Sequence, residues 1–394
     1  MRNHGTFDLA QVRADTPASA RLIHFNNAGA ALMPNAVSDA IFSHLDLERR
    51  IGGYEAETVA QPAINDFYDA FAELLNCDRG EIAYVENATR AWDMAFYALP
   101  LRAGDRILTH DSEYASNYLA LLQLAKRLDV GIDVVPSDAH GQIDVEALRR
   151  AISSESRVIA LTHAPTHNGL INPAAEVGRI AREHGLIYVL DACQSAGQLP
   201  LDVKKIGCHV LSGTGRKFLR GPRGTGFLYV EQSLLQMLDP PFIDMHAARA
   251  LPSASFELRS DARRFETWES YVAGRLGLRA AVRYLLSLGV DTVSTRIVSL
   301  AASLRDALRA EQRVTVHDRG AAKSGIVTFT LADEQAPATA ARLRAAGANV
   351  SVTVPDAAPL DPHLRRLQGA VRASVHYYNT TEEIARFVKL VVSG

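Results

Sequence analysis

Lys217 stands in the stretch "SGTGRKFLRGPRGTGFLYV", flanked by Ser212, Thr214 and Arg216 and followed by Gly221, Pro222, Gly224 and Gly226. A lysine set between hydroxyl residues and glycine-rich turns is equipped to attack a carbonyl and to carry a proton, and it reads as placed rather than merely solvated. "DACQ" sets Asp191 and Gln194 three apart after the apolar run "LIYVL", and Arg372 lies in the strand-like "AVRASVHYYNT". Three further polar groups follow apolar runs. "ENATRAWDMAF" places Ala88 and Thr89 at the start of a helix whose unpaired N–H groups suit a phosphate. "DSEYASN" presents the aromatic Tyr114, and "PTHNG" offers Thr166, His167 and Asn168 for polar contacts.

An amine that forms an imine, a carboxylate that keeps a ring nitrogen protonated, donors for a phosphate and an aromatic plate are together what pyridoxal 5'-phosphate requires. None of these residues is specific alone. Lys217 by itself is a loop lysine, Asp191 a helix N-cap, Tyr114 a packing residue and Arg372 a structural ion-pair arginine. The combination carries the argument.

Such a set needs a scaffold that brings strand ends together. Between about residues 80 and 230 the runs "EIAYV", "DRILTH", "IDVVPS", "RVIALTHA", "LIYVLDA", "CHVLSG" and "GFLYV" alternate with helical patterns. That alternation predicts an α/β fold with a mainly parallel central sheet, whose ligands settle at the carboxyl ends of the strands. In "PAAEVGRIAREHG", Ala175, Val177, Ile180 and Ala181 fall largely on one face, with Gly185 as a stop. After about residue 255 a long helical stretch, "ESYVAGRLGLRAAVRYLLSLG", precedes strand-like "GIVTFTL" and "VRASVHYY". The expected organisation is an N-terminal segment over 1–22 packing with the small domain, a large domain over 23–255 and a smaller α+β domain over 256–394.

Composition narrows the function class. The chain has 394 residues, 47% of them hydrophobic, enough for a large core, and its 42 basic and 44 acidic residues leave a net charge of -2. Nothing in that balance favours nucleic acid or an anionic membrane, so small-molecule chemistry is expected. Cys77, Cys193 and Cys208 are single and widely spaced, which fits a reducing cytoplasm, and no His or Cys pair has metal-ligand spacing.

From "HFNNAGAALMP" to "RASVHYYNT" the order and spacing of these motifs resemble the class V aminotransferase superfamily of fold-type I enzymes, which includes cysteine desulfurases, isopenicillin-epimerase-like proteins and C–S lyases. The resemblance implies that Lys217 in "GRKF" binds the cofactor covalently and carries the substrate's α-proton, and that Asp191 pairs with the ring nitrogen. Gln194 would contact the ring hydroxyl, Thr166 in "PTHNG" would also bind the cofactor, and Tyr114 would stack on the ring where desulfurases usually carry histidine. Ala88, Thr89, Ser212, Thr214 and Arg216 would bind phosphate, and Arg372 the substrate carboxylate. Asn27 and Ala28 in "NNAGAA" would close over the substrate beside His167 and Asn168. His167 is equally well read as a turn residue. "RRFETWES" would complete the neighbouring subunit's site in a homodimer, with Thr267 on its phosphate.

A persulfide-forming desulfurase needs a thiol on the loop shortly before the carboxylate-binding arginine, and "NVSVTVPDAAPLDPHLRRLQGAVRAS" contains none. The stretches "ANVSV", "VRASVHYYNT" and "SGTGRKFLRGPRGTGFLYV" most resemble the C–S lyase branch, and that resemblance implies β-elimination from an S-conjugated L-cysteine or its sulfoxide, releasing a thiol or sulfenate, pyruvate and ammonia. Decarboxylative oxidative deamination or transamination of an S-substituted cysteine, as in lincosamide-type specialised metabolism, is the next reading, followed by epimerisation. A catalytically idle scaffold has no physical need for Lys217, Asp191, Gln194 and Arg372 together.

Overall fold

The computed structural model describes residues 7–252 and 254–393. β1 (Ile23–His24) stands apart from the main sheet. That sheet is built from β2 (Ile82–Val85), β3 (Arg106–His110), β4 (Gly131–Val135), β5 (Ser156–Thr162), β6 (Ile187–Asp191), β7 (Val210–Thr214) and β8 (Gly226–Val230). These are the seven runs expected from the sequence, in the order β2-β8-β7-β6-β5-β3-β4. β8 runs antiparallel to both neighbours and every other pairing is parallel.

Their apolar continuity has a direct cause. Leu108, Ile159, Leu190 and Phe227 enter a core on one face with Phe67 and Phe71, while Ile107, Val158, Val189 and Leu228 enter a core on the other with Trp92 and Phe96. Adjacent residues of a strand point to opposite faces, so a sheet covered on both sides needs apolar residues at consecutive positions. The helix Ala174–Glu183 covers the first of these faces with Val177, Ile180 and Ala181, and Gly185 follows it at φ +66°.

Beyond the hairpin of β9 (Ala248–Leu251) and β10 (Ser255–Leu258), a second sheet forms. It joins β11 (Val314–Val316), β12 (Ile326–Leu331), β14 (Ser351–Thr353) and β15 (Ala370–Ser374), all antiparallel, around its own core of Phe329, Val371 and Phe387. β13 (Ala348–Asn349) pairs instead with β1, Ile23 opposite Ala348.

Packing divides the chain more finely than the texture of the sequence. Residues 1–6 of the N-terminal segment lie outside the described ones; within the rest, Arg13 Nη1 reaches Tyr378 O at 2.9 Å and Glu383 Oε1 at 2.7 Å. Residues 23 and 24 also pair with the C-terminal part, through β13. Conversely the helix Val272–Leu288, expected in the smaller domain, sends Leu278, Val282 and Leu285 into the large core. Sequence texture registers composition, whereas an amphipathic helix joins whichever core its apolar stripe meets. No single described helix is long and apolar enough to cross a membrane, and the next helix, Val290–Arg309, turns away by 84° and buries Val293 and Ile297 in the same core.

Two glycines set the approach of the segments that matter below. A Cβ on Gly226 would lie 2.8 Å from Asn87 C and from Gly213 O, so only glycine lets the start of the helix Ala88–Phe96 sit against β7 and β8. Gly197, at φ +95°, would put a Cβ 2.2 Å from Phe218 C. The turn after Asp191 can therefore press against the backbone that follows Lys217.

Candidate active site

β6 and β7 are parallel neighbours with Asp191 opposite Ser212, so the residues just past both strands share one edge of the sheet. Lys217, three residues beyond β7, is buried. Burial draws its amine below the ordinary lysine range, Arg216 and Arg372 add to that effect, and Cys193 and Asp191 oppose it. An amine so held releases its proton more readily than a solvated one.

Asp191 ends β6 and is 5% exposed. Its Oδ1 accepts the Cys193 N–H at 2.7 Å and its Oδ2 accepts Asn117 Nδ2 at 2.9 Å. Gln194 ties three segments together: Nε2 donates to Ala28 O at 3.1 Å and to Thr166 Oγ1 at 3.0 Å, while Oε1 is buried without a partner. Thr166 in turn meets Arg372, whose Nη1 donates to Thr166 O at 3.0 Å and to its hydroxyl, and whose Nε donates to Ser351 Oγ at 3.0 Å. The early turn, the ends of β5 and β6, and β15 thus converge on one place.

Arg216 donates to Gly29 O, and its own carbonyl accepts the Ala31 N–H at 2.8 Å, which fastens the early turn over the β7 loop. Thr214 Oγ1 donates to Thr225 O at 3.3 Å, and Ser212 Oγ is buried without a partner. Asn87 caps the helix Ala88–Phe96 by accepting Arg90 N–H at 2.9 Å, leaving the N–H groups of Ala88 and Thr89 in the first turn. Tyr114 is 37% exposed, caps the helix Ala115–Leu128, and lies close enough to Arg372 to influence its charge.

Other expected site residues have different work. Asn27 is fully buried, with Nδ2 donating to Ser374 O at 2.7 Å and His24 O at 3.1 Å and Oδ1 accepting from the Tyr378 hydroxyl. It fastens the early turn to β15 and has no group left for a substrate. Ala28 contributes backbone only: its N–H donates to Ser374 Oγ at 2.8 Å and its carbonyl holds Gln194. Asn168 turns its Oδ1 back onto Leu170 N–H at 2.8 Å. His167 Nε2 is committed to Asp361 Oδ2 at 2.8 Å in a buried pair. The turn "PTHNG" therefore divides, Thr166 facing the site and the next two residues holding structure. Thr267 donates to Glu269 O at 3.0 Å on a cleft of about 630 Å³ with Tyr54, Glu57 and His246, and no hydrogen bond joins it to the Lys217 group.

Glu113, Asn117 and Asp361 were not singled out from the sequence. Glu113 and Asn117 are four apart at a helix start, a spacing that puts two side chains on one face. Asp361 carried no signal before its partner 194 positions away was known.

The electrostatics decide what the site can hold. Arg216, Lys217 and Arg372 surround it, and Asp191 is the acidic residue that acts on Lys217. Arg372 has only neutral oxygens around it, and burial first, then Arg216, brings it down to about 10. Two anionic groups, a phosphate and a carboxylate, would balance these cations. With the partnerless Gln194 Oε1 and Ser212 Oγ and the N–H groups of Ala88 and Thr89 in the first helical turn, the residues fit pyridoxal phosphate: Thr214, Arg216 and the helix start would hold its phosphate, Asp191 would serve its ring nitrogen and Lys217 would supply the amine.

The Aminotransferase class-V family profile matches residues 23–387. The chain is 27% identical to a probable cysteine desulfurase of Pyrococcus abyssi (strain GE5 / Orsay), over 96% of this chain and 95% of that one. It is 30% identical to a probable cysteine desulfurase of Xylella fastidiosa (strain 9a5c), over 97% and 94% respectively. Its fold matches the apo structure of cysteine desulfurase from Thermococcus onnurineus NA1 with a TM-score of 0.90 at 26% identity, covering 97% of this chain and 96% of that chain.

Proposed function

The chain belongs to the class-V aminotransferase family and is a cysteine desulfurase-like enzyme dependent on pyridoxal phosphate, and from that premise we propose that it is a C–S lyase acting by β-elimination on S-conjugated L-cysteine or its sulfoxide. The observation that carries this reading is the thiol-free loop between β14 and β15. Asp361 of that loop is bonded to His167, the neighbour of the Thr166 that touches Arg372, so the loop passes beside the site; residues 351–372 contain no cysteine. Cys193 does lie near Lys217, but burial foremost, helped by the charge of Asp191, pushes its thiol up to about 12. It is not a thiolate nucleophile at neutral pH.

When bound, pyridoxal phosphate supplies an electron sink for the pair left at the substrate's α-carbon. Arg372 binds the substrate carboxylate through Nη2, the guanidinium nitrogen that Thr166 and Ser351 leave free, and so fixes which bond to the α-carbon is weakened. Lys217 takes the α-proton. The electron pair of the broken C–H bond forms the α,β double bond, and sulfur leaves with the pair of the C–S bond as thiolate, or as sulfenate from a sulfoxide. The proton held on Lys217 can pass to the leaving sulfur. The released 2-aminoacrylate takes up water and loses ammonia to give pyruvate. The Arg216 contact with the early turn closes the site from one side, which limits water around the reacting carbon.

The same reading makes the protein a homodimer, with Thr267 contributing to the phosphate site of the other subunit. Phe42, Tyr54, Val59 and Trp268, all more than half exposed on the single chain, support it. The test of the reaction is to supply S-conjugated L-cysteines and L-cysteine to the cofactor-loaded protein and identify carbon and sulfur products by mass spectrometry, with Lys217→Ala as control. Pyruvate with free thiol is expected. Alanine with a protein persulfide would make it a desulfurase, and carbon dioxide with an intact C–S bond would make it a decarboxylating deaminase.

A further inference from the structure

Behind Asp191 lies a second buried carboxylate that the chemistry above does not use. Glu113 is 0% exposed, and Asn117, one turn further along, stands between it and Asp191. Asn117 Nδ2 donates to Glu113 Oε1 at 2.9 Å and to Asp191 Oδ2 at 2.9 Å. One amide nitrogen carries two hydrogens, so both are committed, and the orientation of the amide is settled. Glu113 Oε1 also accepts Tyr114 N–H at 3.0 Å and Thr162 Oγ1 at 2.5 Å, while Thr109 Oγ1 lies 3.3 Å from Oε2.

Glu113 has no cation in this set. Burial, opposed by the Thr162 and Asn117 hydrogen bonds and assisted by the charge of Asp191, pushes its carboxyl up to about 7. A buried carboxyl without a cation beside it holds its proton more readily than a solvated one, so Glu113 can meet the amide as a neutral acceptor. Asp191 has donors on both oxygens, from Cys193 and Asn117, which fix the direction in which its carboxylate faces. Nothing about packing alone requires that the amide nitrogen, rather than its oxygen, face Asp191.

We propose that Asn117, held in orientation by Glu113, is a positioning residue for Asp191: its amide keeps Asp191 a fixed anion, so that the proton shared with the ring nitrogen of bound cofactor stays on the nitrogen. This rests on cofactor binding at Asp191 and not on which C–S reaction follows.

The experiment reads ring protonation directly, by the 15N chemical shift of pyridoxal phosphate labelled at the ring nitrogen and bound to the intact protein, with Asp191→Asn as the reference for a ring without its carboxylate. In Asn117→Ala the signal is expected to move from the protonated toward the unprotonated position, and kcat to fall about tenfold, the size of one lost hydrogen bond to a charged group, with KM little changed. Glu113→Gln, whose amide oxygen can serve the same donors, should keep the wild-type signal, whereas Glu113→Leu should move it in the direction of Asn117→Ala. A wild-type ring signal in Asn117→Ala and Glu113→Leu, with only thermal stability lowered, overturns the proposal. If Asn117→Ala does not retain cofactor, Asn117→Ser carries the same test; loss of cofactor from every variant also counts against it, because the phosphate contacts are elsewhere. An unchanged signal in Asp191→Asn would instead remove the premise that Asp191 faces the ring.

Discussion

Arg372 is a buried cation whose hydrogen bonds run to Ser351 Oγ and to the carbonyl and hydroxyl of Thr166, all neutral groups. A planar guanidinium held by these bonds aims its remaining N–H groups in one fixed direction, whereas an ammonium offers a point charge. Arg372→Lys should therefore raise KM by about 10- to 100-fold in steady-state kinetics, the worth of one charged hydrogen bond, with a smaller effect on kcat. Glu113 makes a separate residue-scale prediction through its pKa, which burial pushes up to about 7. Between about pH 4.3, where an unfolded glutamate titrates, and pH 7 the folded protein holds a proton that the unfolded chain has lost, so this group's contribution to stability falls as pH rises through that interval. Glu113→Gln removes the titration. Denaturant midpoints measured from pH 4.5 to 8 should show a decline in the wild type that the variant lacks.

At the scale of elements, the decisive contact joins the turn after β5 to the loop between β14 and β15. Asp361 caps the short helix Pro362–Leu367 and pairs with His167 while 1% exposed. Burial alone would raise its carboxyl, but the His167 hydrogen bond and charge and the N–H groups of His363 and Leu364 bring it down to about 2. Because this pKa lies below its unfolded value, the stabilisation is complete above about pH 4 and is lost as pH falls toward 2. His167→Ala leaves Asp361 Oδ2 without its donor while Arg319 Nη1 stays 3.8 Å from Oδ1, and should cost about 1–3 kcal/mol. Asp361→Asn keeps a capping oxygen and should cost less. If the loop opens locally before the fold does, limited proteolysis will cut between Val354 and Gln368 in His167→Ala at denaturant concentrations that leave the wild type intact.

For the whole molecule, the convergence of four separate chain segments beside Lys217 depends on both sheets and the cores around them being formed at once. Ala28 comes from the early turn, Thr166 from the turn after β5, Gln194 from the turn after β6 and Arg372 from the second sheet. A site assembled this way gains rigidity from the scaffold and loses it if the two sheets separate. As a homodimer the protein should sediment at twice the mass of its chain, and Thr267→Ala should weaken cofactor retention on dialysis without changing that mass. A monomer in solution, with cofactor retained, would remove Thr267 from the site.

That Lys217, Asp191 and Gln194 lie near one edge of the sheet was legible from the sequence, because apolar runs mark strands and the parallel neighbours β6 and β7 bring the residues after them together. The alternation that identified seven strands is enforced locally, by burial on both faces of each strand. What joins residues distant in the chain left no such pattern: Asn117 reaches Asp191 across 74 positions and His167 reaches Asp361 across 194. The same limit hid the work of Asn27, whose amide is consumed by His24, Ser374 and Tyr378. Residue type and order by themselves determined the fold class and, through the resemblance they carry, the cofactor, and they supplied the candidates for the chemistry. Tertiary structure alone decided which polar groups remain unpaired and open to a ligand, because hydrogen-bond satisfaction in a buried site depends on every segment that packs there.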